Sequence, residues 1–466
     1  MDNIVVRLGS LELHNMKNVG CGKLTMPNVF RRESYVSGSE VLGIYGQNGS
    51  GKTAAIDALF FLQNIMVGQP LRDSMSDYIG AGLHHMSILA DFCISVSDVM
   101  YEVGYKVYVK KIEKGVQIER ESLSMAKTSG GGRSNKTVFM DYIREDEKAI
   151  FKPKVRLNEL IAEHAENETD LIVARKMAEK SNCSYIFGES SREIFSRELH
   201  GHFREYAFII QVLFDYALKD LFVIRSSHSG FISANFFLPM AFRIEQDEIG
   251  LKGDLPIPLA GPVVIYENEK AILETIVEQI NSVLFTIIPG MKIGIRYYGT
   301  QLMDDGQEGY KVELTSEREN IQSLPIRMES EGIIKLISIL NALILAFGNE
   351  SVCLAIDELD AGIFEYMLGE LLSVFQESAK GQLIFTSHNL RALEMLDKDC
   401  IVLSTANPEN RYIRMKNVKP TNNQRDMYLR SITLGGQEEL IYEATDSLKM
   451  ARAFRKAGRK VNNGKL

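Results

Sequence analysis

The chain has 466 residues, room for two or three folding units at about 150 residues each. Apolar residues make up 45% and charged residues 24%, which supports large buried cores and excludes disorder as the main state. The balance of 53 Lys+Arg against 61 Asp+Glu, a formal charge of −8, argues against a protein coated by nucleic acid, though not against a local basic groove. Five dispersed cysteines (Cys21, Cys93, Cys183, Cys353, Cys400) form no C-x-x-C pair. That excludes a disulfide framework and a structural zinc site, and a reducing compartment follows. The N-terminus, MDNIVVRLGSLELHN, lacks a charged-then-apolar signal pattern, and no run of about 20 apolar residues exists. The expectation is a cytoplasmic protein with no membrane partner.

In chain order, Leu8 to Leu13 alternates and reads as a strand. Val41-Leu42-Gly43-Ile44-Tyr45 is apolar throughout, which suits a strand covered on both faces. It leads through a Gly-rich loop into a helix from Thr53 to about Met66. Residues 86–123 read as three antiparallel strands, and Lys127 to Lys136 as a polar, mobile Gly/Ser loop. Asn158 to Lys180 reads as one helix and Ser191 to Leu221 as one or two more. Residues 229–265, with Pro239, Pro256, Pro258 and Pro262, are expected to be irregular. Glu267 to Phe285 has apolar residues at helical spacing, and residues 291–328 return to short strands. From Ser330 helices alternate with apolar strands in an α/β style. The apolar run Leu336 to Phe347, broken by Ser338 and Asn341, reads as a buried helix.

Four motifs carry chemistry. Gly46-Gln47-Asn48-Gly49-Ser50-Gly51-Lys52-Thr53 fits G-x-x-x-x-G-K-[ST], between an apolar strand and a helix. Its backbone N–H groups suit phosphates, Lys52 suits the β- and γ-phosphates, and the Thr53 hydroxyl suits Mg²⁺. Val352-Cys353-Leu354-Ala355-Ile356-Asp357-Glu358 is a buried strand ending in two carboxylates. Asp357 suits a magnesium ligand and Glu358 a general base for the attacking water. Alone, such a pair is as often an acidic helix cap; beside a phosphate loop the functional reading dominates. Gln382-Leu383-Ile384-Phe385-Thr386-Ser387-His388 ends another apolar strand, one helix later, and His388 is a γ-phosphate candidate. Met328-Glu329-Ser330-Glu331-Gly332 leads into a helix whose N-terminus, with Ser330 and Gly332, is a second anion-binding end.

In this order the motifs resemble those of the ABC-type P-loop ATPases of the SMC, RecF and OLD-like group. The carrying residues are Leu11-Glu12-Leu13-His14-Asn15-Met16-Lys17-Asn18, the phosphate loop 46–53, Ser330-Glu331-Gly332 in place of LSGGQ, residues 355–362 with Leu359-Asp360, and Thr386-Ser387-His388-Asn389. The resemblance covers roughly residues 1–125 and 320–405. It implies an α/β fold, an ABC-type P-loop NTPase head with a mixed sheet and an antiparallel β lobe, plus a helical insert. The implied division is an N-terminal half of the head (1–125), a mostly helical insert (126–290), a C-terminal half (291–420) and an extension with a basic tail (421–466).

The resemblance further implies ATP and Mg²⁺ sandwiched in a head-to-head homodimer or higher oligomer. Lys52, Thr53, Asp357 and Glu358 of one head would face Ser330 of the other, Asp360 would communicate across the pair, and His388 would sense the γ-phosphate. A glutamine linking the lobes is not assignable; Gln63, Gln69 and Gln211 are all poor candidates. No long heptad array interrupts the chain and too few residues follow 420 for an appended nuclease domain. The chain is thus similar to stand-alone ATPase subunits of bacterial anti-phage systems of the abortive-infection, PARIS and Septu types, with a separate effector protein. The alternative is a RecF-like DNA-repair clamp; a transporter subunit is disfavoured because LSGGQ is absent. Leu434-Gly435-Gly436-Gln437 is rejected as that signature because it follows the carboxylate strand. From residue 449 onward there are seven basic residues and no acid, a solvated terminal helix or a contact for nucleic acid or an acidic partner.

Overall fold

A computed structural model describes residues 3–29, 38–130, 132–246, 249–303, 305–319, 321–416 and 423–462. The first part holds strands β1 (Ile4–Met16), β2 (Val19–Thr25) and β3 (Glu40–Tyr45), helix α1 (Lys52–Met66), and strands β4 (His85–Val96), β5 (Val99–Lys111), β6 (Val116–Ser129), β7 (Gly132–Arg133) and β8 (Thr137–Ile143). Helices α2 (Lys154–Glu163), α3 (Asn167–Ser181), α4 (Glu189–Phe195) and α5 (Gly201–Lys219) follow. Next come β9 (Leu221–Ile224), α6 (Ser226–Ser233), β10 (Phe237–Gln246), β11 (Ile249–Pro258), β12 (Val263–Ile265), α7 (Glu267–Ile287), β13 (Met291–Leu302), β14 (Glu308–Arg318) and β15 (Ile321–Pro325). The last part holds α8 (Glu331–Gly348), β16 (Cys353–Ile356), α9 (Glu365–Ser378), β17 (Gln382–Ser387), α10 (Arg391–Met395), β18 (Ile401–Ser404), β19 (Tyr412–Arg414), α11 (Gln424–Leu434) and α12 (Ser447–Asn462).

The fold is α/β. Its central sheet has the order β19-β18-β3-β17-β16-β9, parallel except for the edge strand β19. This sheet is the wall between two cores. Leu42 and Ile44 of β3 face one with α1, while Val41 and Tyr45 face the other with α8 and α9. Both faces being covered is why β3, β16 and β17 carry continuous apolar runs. All parallel strands end on one edge, which gathers the loops after β3, β16 and β17.

Strands β2-β1-β4-β5-β6-β7, with β8 also on β6, form an antiparallel lobe. In β5, Val103, Tyr105, Val107 and Val109 are buried and the residues between them half-buried, the period-2 signature of a sheet with one dry face. A buried network joins lobe to wall. Arg7 of β1 pairs with Glu40 of β3 at 3.0 Å, and Gln382 Nε2 of β17 donates to Leu8 O and Glu40 Oε2.

Several expected elements differ. The Gly/Ser segment at 127–136 is partly strand: β6 runs on to Ser129, and β7 pairs back on it (Gly131 lies outside the described residues). The lobe therefore continues to Ile143, past the expected boundary at 125. The expected helix from Asn158 to Lys180 is two, because His164 takes extended backbone and the Asn167 amide donates to Leu160 O at 2.7 Å. Leu221 does not end a helix but begins β9, which pairs in parallel with β16. The segment 126–290 thus supplies an edge of the central sheet as well as helices. The proline-rich stretch forms the β10–β11 hairpin, with Pro239 opposite Pro256, so the residues lacking an N–H share one rung. Strands β13 and β14 are long. Helix α8 is long and apolar enough by length and composition to cross a bilayer, and most of it is buried in the second core.

Candidate nucleotide-binding site

The phosphate loop follows β3, and its turns are made by glycines. Gly49 and Gly51 take φ of 79° and 87°, the left-handed region where a side chain is strained. Gly51 precedes α1, so the first N–H groups of that helix open onto the loop. Lys52 Nζ lies along the loop, donating to Gly46 O at 2.9 Å and Gln47 O at 3.0 Å. Burial lowers the Lys52 pKa, and Asp357, Glu358 and Asp360 oppose that shift.

The loop is braced from outside. Tyr412 OH of β19 donates to Gly51 O at 2.6 Å, and the Ser404 and Ser50 hydroxyls share a hydrogen bond. Asn18 Nδ2 donates to Gly49 O, and Arg411 to Asn18 O. Glu443 N, from the segment before α12, donates to Gln47 Oε1 at 2.9 Å. Sequence reasoning missed these braces, because all but the Asn18–Gly49 contact join residues more than 350 positions apart with no local pattern.

Asp357 follows β16 and is 2% exposed. Its Oδ1 accepts from Thr386 Oγ1 at 2.7 Å and from Thr53 Oγ1 at 3.4 Å. Its Oδ2 is buried with no hydrogen-bond partner. A carboxylate with one orphaned oxygen, its other oxygen 3.4 Å from the Thr53 hydroxyl, is a donor set suited to a hard cation, so the residues present fit Mg²⁺. No group of three or more His, Cys, Asp or Glu placed to hold a metal ion by themselves occurs among the described residues.

Glu358 is exposed, and its φ is +51°, left-handed for a non-glycine residue. Its N–H donates to Thr386 Oγ1 at 2.7 Å. His388 follows β17, the strand between those of the phosphate loop and the carboxylates, and is exposed. Its backbone N–H donates to Asp360 Oδ2 at 3.0 Å. Partial burial and Lys52 lower the His388 pKa, against Asp360, Glu358 and Asp357. Lys52, Thr53, Asp357, Glu358, Asp360 and His388 are thereby gathered on one sheet edge.

Ser330 caps α8, its Oγ accepting from Ile333 N at 3.4 Å. Gly332 has a role within its own chain: a Cβ there would lie 1.8 Å from Gly362 O, so α8 packs directly on the turn after Glu358. Lys335, one turn further, is 5% exposed and also escaped the sequence reading, since a lone lysine in an apolar helix has no motif. Gln63, considered for a lobe-linking role, instead donates to Ala217 O and Leu221 O at the far end of β9.

A second charged cluster lies further along α1. Asp57, 1% exposed, pairs with Arg225 at 2.8 Å and with Lys17. Arg225 follows β9, donates also to Tyr78 OH and lies 4.6 Å from the Phe60 ring centroid.

No family model matches the sequence, and no curated protein matches it. Among solved structures the chain is similar to the Smc head domain with a coiled coil and joint from Pyrococcus yayanosii (13% identity, 92% of this chain and 99% of that one, TM-score 0.43). It is also similar to the Smc head domain bound to the C-terminal domain of ScpA from Pyrococcus furiosus (14%, 88% and 96%, TM-score 0.41). A third similar structure is the recombination mediator protein RecF with ATP (12%, 83% and 94%, TM-score 0.32).

Proposed function

We propose that this chain is an ATPase head of the ABC type, binding ATP with Mg²⁺ and hydrolysing it as a head-to-head pair. The observation that carries the reading is the carboxylate pair beside the phosphate loop, with one Asp357 oxygen left without a partner. Gly46, Asn48, Gly49, Ser50, Gly51 and Lys52 would hold the phosphates; Thr53 and Asp357 would hold Mg²⁺, which neutralises phosphate charge when bound. Glu358 would take the proton of the attacking water, oriented with His388. Ser330 and Gly332 of a second copy would close over the nucleotide, with Asp360 at the contact. Lys52→Ala loses nucleotide binding. Glu358→Gln binds ATP but turns over at least about 100-fold more slowly, within the range of a lost general base.

The biological role we favour is a sensor ATPase of bacterial anti-phage defence, gating a separate effector protein. Its support is the resemblance of the sequence motifs to such subunits, with a compact segment rather than a heptad array between the two halves of the head. The second reading is a RecF-like clamp on DNA, favoured by one feature. Helix α12 exposes Lys449, Arg452, Arg455, Lys456 and Arg459 along one side, while the rest of the chain is acidic. Lys465 of the basic run lies outside the described residues. Purifying Glu358→Gln with ATP and Mg²⁺, beside its native flanking genes, separates the two. A stoichiometric protein partner with little DNA supports the gated effector; co-purified DNA alone supports the clamp. Wild-type turnover by Glu358→Gln overturns the ATPase assignment of that residue.

A further inference from the structure

Glu358 is held by both ends of its peptide. Thr386 takes its N–H, and its carbonyl accepts from Ala361 N at 3.0 Å and from Lys335 Nζ at 2.5 Å. A glutamate in the left-handed region persists only where its surroundings over-determine it, so these contacts set the direction in which the carboxylate points. The Lys335 ammonium reaches the carbonyl because Gly332, three residues earlier and on the same helix face, lets α8 touch the turn at Gly362.

A buried lysine is an expensive choice for this place. Methionine or leucine would fill the volume without desolvating a charge. Burial pulls the Lys335 pKa down, while the charges of Asp360, Glu358 and Asp357 pull it back up.

We propose that Lys335 is a positioning residue for Glu358. Anchored one turn beyond Ser330, it fixes the backbone from which the carboxylate is presented and ties that carboxylate to the start of α8. The inference rests on the reading of Glu358 as general base, and goes beyond it by naming what holds the base in place. It also implies that whatever moves the N-terminus of α8 moves Glu358.

The test compares wild type, Glu358→Gln, Lys335→Met, Lys335→Arg and the double variant Lys335→Met/Glu358→Gln. Binding of a fluorescent ATP analogue and single-turnover hydrolysis are measured on each. Lys335→Met should bind nucleotide within about 3-fold of wild type yet hydrolyse it about 10- to 100-fold more slowly, the split of a group that acts on the transition state alone. Lys335→Arg, which keeps the donor, should recover much of the rate. Adding Lys335→Met to Glu358→Gln should cost nothing further, because a residue that acts only through Glu358 has nothing left to position. A rate within about 2-fold of wild type, or an equal loss in both backgrounds, overturns the inference. Should Lys335→Met not fold, Lys335→Gln and Lys335→Arg carry the same comparison. If Glu358→Gln is slow while Lys335→Met is not, only Lys335 loses its role; if Glu358→Gln is as fast as wild type, the general-base reading falls with it.

Discussion

Two buried aspartates stand beside helix α1, and their surroundings are opposite. Asp57 lies on the helix, with one oxygen paired to Arg225 and the other to Lys17. Asp357 faces Thr53 from one turn nearer the phosphate loop, with one oxygen bonded to two threonine hydroxyls and the other to nothing. The first site is complete, joining the phosphate-loop helix, the β1–β2 turn, Tyr78 and the end of β9. The second leaves one buried carboxylate oxygen without a hydrogen-bond partner, a fault in a purely structural site and a requirement in one that receives a cation.

The largest expected effect tests the complete site. Asp57→Asn leaves two cations facing a neutral amide and should cost about 3–5 kcal/mol of unfolding free energy, read from a urea titration. A loss under about 1 kcal/mol would show that Asp57 is no more needed than an ordinary surface charge. Next is Gly332→Ala, whose new Cβ must displace the Gly362 carbonyl. We expect about 1–3 kcal/mol of destabilisation and a fall in hydrolysis, from the same titration and a phosphate-release assay. Unchanged values would mean that α8 moves freely against the turn.

Asp357→Asn should behave contrary to Asp57→Asn. Without nucleotide its stability should equal that of wild type or exceed it by up to about 1 kcal/mol, because a buried charge with one unpartnered oxygen is removed. Its melting temperature should no longer rise on adding Mg²⁺ and ATP. A large loss without nucleotide would remove the distinction between the two aspartates.

Glu121 gives the smallest test. It is fully buried, with no cation paired to it among the described residues, and accepts from Tyr105 OH, Ser184 Oγ and Tyr185 N. Burial raises its pKa, against those hydrogen bonds. A carboxyl raised on folding binds its proton more tightly in the native state. Its stabilising contribution is full below the unfolded value of about 4.3 and is lost as pH rises through the folded one. The stability of wild type relative to Glu121→Gln should therefore decline from pH 4 to pH 7; a constant difference would show that burial does not perturb this group.

The wall between the two cores was legible because both faces of each strand are dry. Val41 to Tyr45, Val352 to Ile356 and Leu383 to Phe385 read as continuous apolar runs, and each ends in the polar residues of the site. Phosphate-loop spacing is local, so Gly46 to Thr53 could be read directly. What stayed hidden depends on distant pairing. Leu221–Ile224 follows α5 after a single residue and has no turn signal; only β16 beside it makes it a strand. Prolines at 239 and 256 speak against strands until they are placed opposite each other. Lys17, Asp57, Arg225 and Lys335 are ordinary charges in sequence and become partners only in the fold.

Strand β3 sits at the centre of the wall, and both its neighbours come from the far end of the chain. Glu40 opposite Gln382 of β17 is a separation of 342 residues, and β18 lies further on still. A ribosome adding about 5–20 residues per second takes roughly 17–70 s to cover that interval. Throughout it the strand that leads into the phosphate loop has an apolar body and both edges open, while β1, β2 and β4 to β8 already have their mates. The newborn protein would thus assemble its antiparallel lobe first and carry an unshielded sticky strand until late in translation, the kind of segment that chaperones cover.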